Sequence, residues 1–148
     1  MARGFTVSES IRRPPETVWA LLADPALMPL WMDSVEAMAP AQAGPLGEGS
    51  RLQARLTTRG RGADSEVRIV GWEPGRRMAL SSSEGGVTAV YDYRCRPAGA
   101  GTEVTLDARC EVQGWLWRLL HPLIAFMMKR TDGKQLANLK RVVEQDTG

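Results

Sequence analysis

The stretch Gly101-Thr-Glu-Val-Thr-Leu-Asp-Ala-Arg-Cys-Glu-Val-Gln-Gly-Trp-Leu-Trp-Arg-Leu-Leu-His-Pro-Leu-Ile-Ala-Phe-Met-Met128 decides the fold. Val104, Leu106, Ala108, Cys110 and Val112 alternate with Glu103, Thr105, Asp107, Arg109 and Glu111, the period of a strand with one buried and one wet face. Gly114 then introduces a helix that is apolar from Trp115 to Met128 except for Arg118 and His121, more than a one-sided surface helix carries. Two of its faces are therefore expected to be covered. The helix is expected to continue to about Glu144, with Pro122 or Gly133 as the place of any bend. Leu116, Leu120, Leu123 and Met127 form one stripe, whereas Leu136, Leu139 and Val143 lie roughly 150° away around a straight helix.

Upstream of this stretch, short alternating runs at 34–39, 50–58, 65–72, 76–82 and 87–96 lead into 102–112. The turns between them fall at Gly44-Pro45-Leu46-Gly47-Glu48-Gly49, Gly60-Arg61-Gly62, Glu73-Pro74-Gly75, Glu84-Gly85-Gly86 and Pro97-Ala98-Gly99-Ala100-Gly101. This is the pattern of an antiparallel meander. In 65–72 both parities carry apolar residues, so periodicity does not assign that strand an inward face. At the start of the chain Phe5, Val7 and Ile11 alternate with polar residues, and Glu9 shares their parity. Pro15 fits the first turn of a helix, Glu16 complements its positive end, and Val18, Trp19, Leu21 and Leu22 supply a packing face. Asp24-Pro25 ends that helix and caps a second, which Pro29 keeps short.

Length and composition bound the rest. With 148 residues, 43% apolar and 24% charged, the chain reads as one globular domain over 1–148. A net charge of +2 is too small to indicate nucleic acid. Arg51, Arg55, Arg59, Arg61 and Arg68 read as a solvated sheet face, since no aromatic residues interleave with them to stack bases. The first residues lack the apolar core of a secretory signal, giving a cytoplasmic expectation. The apolar run before Lys129-Arg130 falls short of the ~20 residues of a membrane span, so stable insertion is not expected, and lying in a bilayer interface is the lesser alternative. Cys95 and Cys110 fall on neighbouring strands six to eight rungs apart, roughly 20–26 Å, too far for a disulfide.

The order Ile11-Arg-Arg-Pro-Pro-Glu-Thr-Val-Trp19, Asp24-Pro-Ala-Leu-Met-Pro-Leu-Trp31, Gly47-Glu-Gly-Ser-Arg51, Glu73-Pro-Gly-Arg-Arg77 and Gly101-Thr-Glu-Val-Thr105 resembles the START-like or SRPBCC superfamily, nearest to its polyketide cyclase/dehydrase-type members. The resemblance covers essentially the whole chain. It implies an α+β helix-grip fold: a curved, seven-stranded antiparallel sheet wrapped around a long C-terminal helix, with two short helices after the first strand. Because that superfamily holds carriers, receptors, cyclases and partner-binding proteins, fold does not select a function. Its oxygenase branch uses an iron site of two histidines and a carboxylate. One histidine per chain cannot build that site within a subunit, so no metal and no cofactor is expected.

Three functional readings follow. The leading one is binding of a hydrophobic small molecule, a lipid, polyketide or isoprenoid-like compound, in a cavity between the sheet and the final helix. Large dry voids are costly, at about 24 cal/mol per Å³, so a sizeable cavity is expected to be filled, wetted or partly collapsed and not empty. Its expected lining is Trp31, Met28, Met78, Tyr91, Tyr93, Leu116, Leu120, Leu123 and Met127; methionine adapts to varied shapes, and Tyr91, Tyr93 and Glu9 are expected to supply the few polar contacts. The second is a cyclase/dehydrase-type enzyme working by acid-base chemistry. Its catalytic candidates are Glu9, desolvated if it faces inward, Tyr91, and His121, which otherwise reads as a helix-surface residue near the cavity mouth. The third makes the apolar final helix a protein interface, giving a homodimer or a partner-binding module.

Overall fold

A computed structural model describes residues 3–58, 61–84 and 86–145. β1 (Arg3–Ile11) leads through α1 (Pro15–Leu22) and a 3-10 helix (Pro25–Leu30) to β2 (Val35–Pro40), β3 (Arg51–Thr58), β4 (Arg61–Glu73), β5 (Arg77–Glu84), β6 (Val87–Ala98) and β7 (Gly101–Val112). Two helices close the chain, α2 (Trp115–Asp132) and α3 (Gln135–Gln145). The strands form one antiparallel sheet in the order β1-β7-β6-β5-β4-β3-β2. The two short helices therefore carry the chain from one edge of the sheet to the other. The meander then returns strand by strand until β7 pairs with β1.

Local chemistry accounts for the turns in direction. Pro14 and Pro15 stop β1 and start α1, which buries Val18, Leu21 and Leu22. The Asp24 carboxylate accepts from the Ala26 N–H at 3.0 Å, capping the 3-10 helix that delivers Met28 and Trp31 to the core. Gly99 takes φ +60° in the two-residue link between β6 and β7, a conformation that costs other residues about 1–2 kcal/mol. The predicted turns at Gly60-Arg61-Gly62 and Glu84-Gly85-Gly86 contain residues 60 and 85, which lie outside the described residues; Arg61 and Gly62 already belong to β4.

A β-bulge between Ile69 and Gly71 explains why β4 shows apolar residues at both parities. Before the bulge Val67 and Ile69 point inward; after it Trp72 does, meeting Trp19 of α1 edge-on with ring centroids 5.3 Å apart. Val70, on the other face, is exposed. Cys95 faces the β7 partner Val104, six residues before Cys110, so the two buried thiols stay apart as the sequence spacing indicates. Burial pushes the Cys95 thiol up to about 11.

α2 and α3 join as the expected long C-terminal helix, and of the two candidate bend points it is Gly133 and not Pro122 at which the chain turns. One expectation about this helix needs correction: two faces of its first half are not covered. α2 lies against β1 and β7 through His121, Ile124, Ala125 and Met128, while Trp115, Leu119, Leu123 and Phe126 face outward. α3 buries Leu136, Leu139 and Val143 against β1, β7 and α1, on nearly the same side as the packing residues His121 and Met128 of α2, so of the two diverging stripes it is the one through Leu120 and Leu123 that is left out of the core. Among the described residues no helix is long and apolar enough to cross a membrane.

Candidate functional site

Because α2 and α3 sit toward the β1–β7 side, the concave surface over β2 to β6 is left partly uncovered. A cleft of about 470 Å³ lies there. Its apolar wall comes from Met32, Val35, Met38, Leu56, Val67 and Leu80, and Met127 of α2 overhangs it. A smaller hollow of about 280 Å³ continues under α2 and shares Ala89, Tyr91, Met127 and Asp132 with the first. Two further depressions, one along the outside of α3 and one at the end of β1, lie away from the grip of sheet and helix.

One polar cluster interrupts this apolar wall, where the end of α2 and the start of α3 meet β6. The Tyr91 hydroxyl donates to Oδ2 of Asp132 at 2.6 Å, and the Ser34 hydroxyl donates to Oδ1 at 3.1 Å. Gln135 Nε2 reaches the same Oδ1 at 3.3 Å, while Gln135 Oε1 accepts from the Tyr93 hydroxyl. No cation pairs with Asp132 among the described residues. Burial holds the Asp132 carboxyl above the usual carboxylate range, partly offset by its donors Tyr91, Ser34 and Gln135. Burial, reinforced by the Asp132 charge, pushes both phenols well above their ordinary range, so they stay protonated.

Free lone pairs decide what this cluster can still do. Oδ1 already accepts twice and Oδ2 once, leaving Oδ2 able to receive one more hydrogen bond, and the Tyr91 oxygen retains acceptor capacity. A neutral O–H or N–H entering the cleft meets an acceptor. A second carboxylate would meet the Asp132 charge in a poorly hydrated site.

The structure distributes the sequence-predicted residues unevenly. Tyr91, Tyr93 and Met127 come together at the cleft. Met28, Met78 and Trp31 are fully buried in the packed core and do not line it; Trp31 meets the Tyr93 ring edge-on at 5.4 Å, and its Nε1–H has no hydrogen-bond partner among the described residues. Leu120 and Leu123 are exposed and turn outward, leaving Met127 as the member of the expected stripe that reaches the cleft; the Leu116 side chain lies outside the described residues. Glu9 keeps the inward parity but sits half-buried at the β1 edge, 3.9 Å from Lys140 Nζ.

His121 is buried and not on the helix surface. Its Nε2 lies 2.8 Å from the Cys110 carbonyl oxygen, which can only accept, so that nitrogen carries the proton. It lies eleven residues before Asp132, about 16 Å along α2.

The residues that sequence reasoning missed are Asp132, Gln135, Ser34 and Leu56. One signal for Asp132 was present. An acid in the last turn of a helix opposes the helix dipole and needs a tertiary reason to be there.

Comparison with known proteins places this geometry. Residues 2–144 match a family model described as polyketide cyclase / dehydrase and lipid transport. An aromatase/cyclase, Zhui from Streptomyces sp. R1128, superposes with a TM-score of 0.80 at 15% identity, covering 100% of this chain and 97% of that one. TTHA0849 from Thermus thermophilus gives 0.76 at 20% identity with full coverage of both chains. A START superfamily protein from Mycobacterium smegmatis gives 0.76 at 16% identity over 95% of this chain and 97% of its own. No curated protein matches by sequence. At these identities the structural likeness establishes the helix-grip fold.

Proposed function

Since this chain belongs to the polyketide cyclase/dehydrase and lipid transport family, we propose that it binds a hydrophobic small molecule bearing a neutral hydroxyl, in the cleft between β2–β6 and the end of α2. The observation that carries this reading is the uncompensated Asp132 carboxylate, held by Tyr91 and Ser34, in an otherwise apolar wall. A volume of about 470 Å³ falls within the ~300–1,000 Å³ of small-molecule sites, which are typically apolar with a few placed polar groups. The hydroxyl would donate to Oδ2 while methionine and aliphatic side chains enclose the skeleton. The expected preference is for alcohols, phenols or enols over carboxylic acids of the same skeleton.

The test is thermal melting with matched pairs, an aromatic or isoprenoid alcohol against the corresponding acid. At a ligand concentration of about 100 Kd the alcohol adds about 2.7 kcal/mol, a rise in Tm of roughly 6–10 °C for a chain of this size. Equal stabilisation by both members of every pair, or by neither, contradicts the reading.

A second reading, acid-base catalysis on such a ligand, draws support from the raised carboxyl of Asp132 in contact with the Tyr91 hydroxyl. It narrows the catalytic candidates to this pair, since Glu9 and His121 lie elsewhere. Under it, Asp132→Asn leaves ligand affinity within about threefold while turnover falls ~10²–10⁴-fold. A parallel loss of both assigns the carboxylate to binding alone.

A further inference from the structure

The outer face of α2 is the least expected surface of the molecule. Trp115 is 75% exposed, Leu119 70% and Phe126 61%, with Leu120, Leu123 and Met127 beside them. With ~150–250 Å² for each large side chain, this face leaves on the order of 700 Å² of apolar surface open, above the ~300–600 Å² of the largest patch on a typical monomer. Its charges are all of one sign: Arg118, Lys129 and Arg130 are exposed, and the helix carries no acid before the buried Asp132.

We propose that α2 docks through this face on a membrane surface bearing anionic lipid headgroups, lying in the interface without crossing it. A helix in the interface plane buries Trp, Phe and Leu at the acyl boundary while its cations meet the headgroups. α2 has that composition and is too polar overall to span. The rival occupant is a second copy of this chain. A two-fold antiparallel contact centred on Leu123 would set Arg118 of one copy against Lys129 and Arg130 of the other, and like charges directly apposed oppose it. An anionic surface turns the same three cations to advantage. Met127 belongs both to this face and to the rim of the cleft, so docking would bring the cleft mouth to the bilayer. The proposal rests on the outer face of α2 and holds whether or not the cleft takes an alcohol.

The test is co-flotation of the full chain with vesicles of phosphatidylcholine alone and with about 30 mol% phosphatidylglycerol, together with light scattering of the free protein. Expected is at least about tenfold stronger binding to the anionic vesicles, weakened on raising salt from about 0.1 M to about 0.5 M. The double variant Leu119→Asp/Phe126→Asp, at exposed positions, is expected to bind at least about tenfold more weakly with its melting temperature and its response to cleft ligands unchanged. Absence of flotation with both vesicle types, or equal flotation of wild type and variant, overturns the proposal. So does a concentration-dependent dimer that the double variant dissolves while vesicles capture nothing, a result that gives the face to a second copy.

Discussion

The Tyr91 hydroxyl donates to Oδ2 of Asp132 across 2.6 Å, joining β6 to the last turn of α2. The bond fixes the polar point of the cleft by tying sheet to helix beside the turn at Gly133. Tyr91→Phe removes a donor to a charged acceptor, for which a loss of about 1.5–3 kcal/mol in unfolding free energy is expected. The same change should raise the Asp132 carboxyl further, because this donor favours its ionised form. Urea unfolding reads the first effect and a carboxyl-carbon NMR titration the second; an Asp132 titration that is unmoved or shifts down contradicts the assignment.

Asp132 should also leave a mark on the pH dependence of stability. Its folded pKa is raised above the unfolded value of about 3.9. The protonated form therefore favours the fold, a contribution complete below about pH 4 and lost as pH rises through the folded pKa. Asp132→Asn lacks this group, so the difference in stability between wild type and variant should drift against the wild type as pH climbs through that window. Denaturant melts from about pH 3 to 8 measure it. A parallel pair of curves would mean the carboxylate is not desolvated as described.

On the outer face of the sheet the opposite sign applies. Burial works against the charged form of Asp92, but hydrogen bonds from Arg77 at 3.0 Å and Arg94 at 3.2 Å win and hold its carboxyl below the usual range. That stabilisation is present above about pH 3.9 and is lost as pH falls toward the lower folded value. Asp92→Ala should cost about 2 kcal/mol at neutral pH, less than a fully buried pair because Arg94 is largely exposed. The cost should shrink in acid, and chemical denaturation at pH 7 and near pH 3 checks it.

What could be read from the sequence, and what could not, divides along a physical line. The strands, the pairing of β6 with β7 and the two short helices were legible because alternation and proline placement are local signals. Val104 to Val112 alternate without interruption and keep that face in the sheet. β4 was ambiguous because a bulge at Ile69/Gly71 reverses parity midway, and periodicity assumes there is none. The site was less legible. Tyr91, Tyr93 and Met127 were within reach of pattern, but an all-round apolar helix does not reveal which face it buries. The choice between Leu120/Leu123 and Ile124/Met128 was made by packing on β1 and β7. Asp132 and Gln135 became a site through the turn at Gly133, which aims both toward Tyr91 and Tyr93.

Core and cleft should separate under mutation. Met28 is fully buried, so Met28→Ala should cost about 2–5 kcal/mol while leaving affinity for a cleft ligand unchanged. Ala89 lines both hollows and is only partly buried. Ala89→Phe should fill that space, abolish ligand-induced stabilisation and change the intrinsic stability by less than about 1 kcal/mol. Paired thermal melts with and without an alcohol ligand distinguish the two outcomes.

The most direct measurement is methyl NMR of the methionines while an apolar alcohol is titrated into the protein. The cleft assignment predicts that the ε-methyls of Met32, Met38 and Met127 shift and saturate together, while those of Met28 and Met78 stay in place. Shifts confined to Met28 and Met78, or no saturable shift at any methionine, would contradict it.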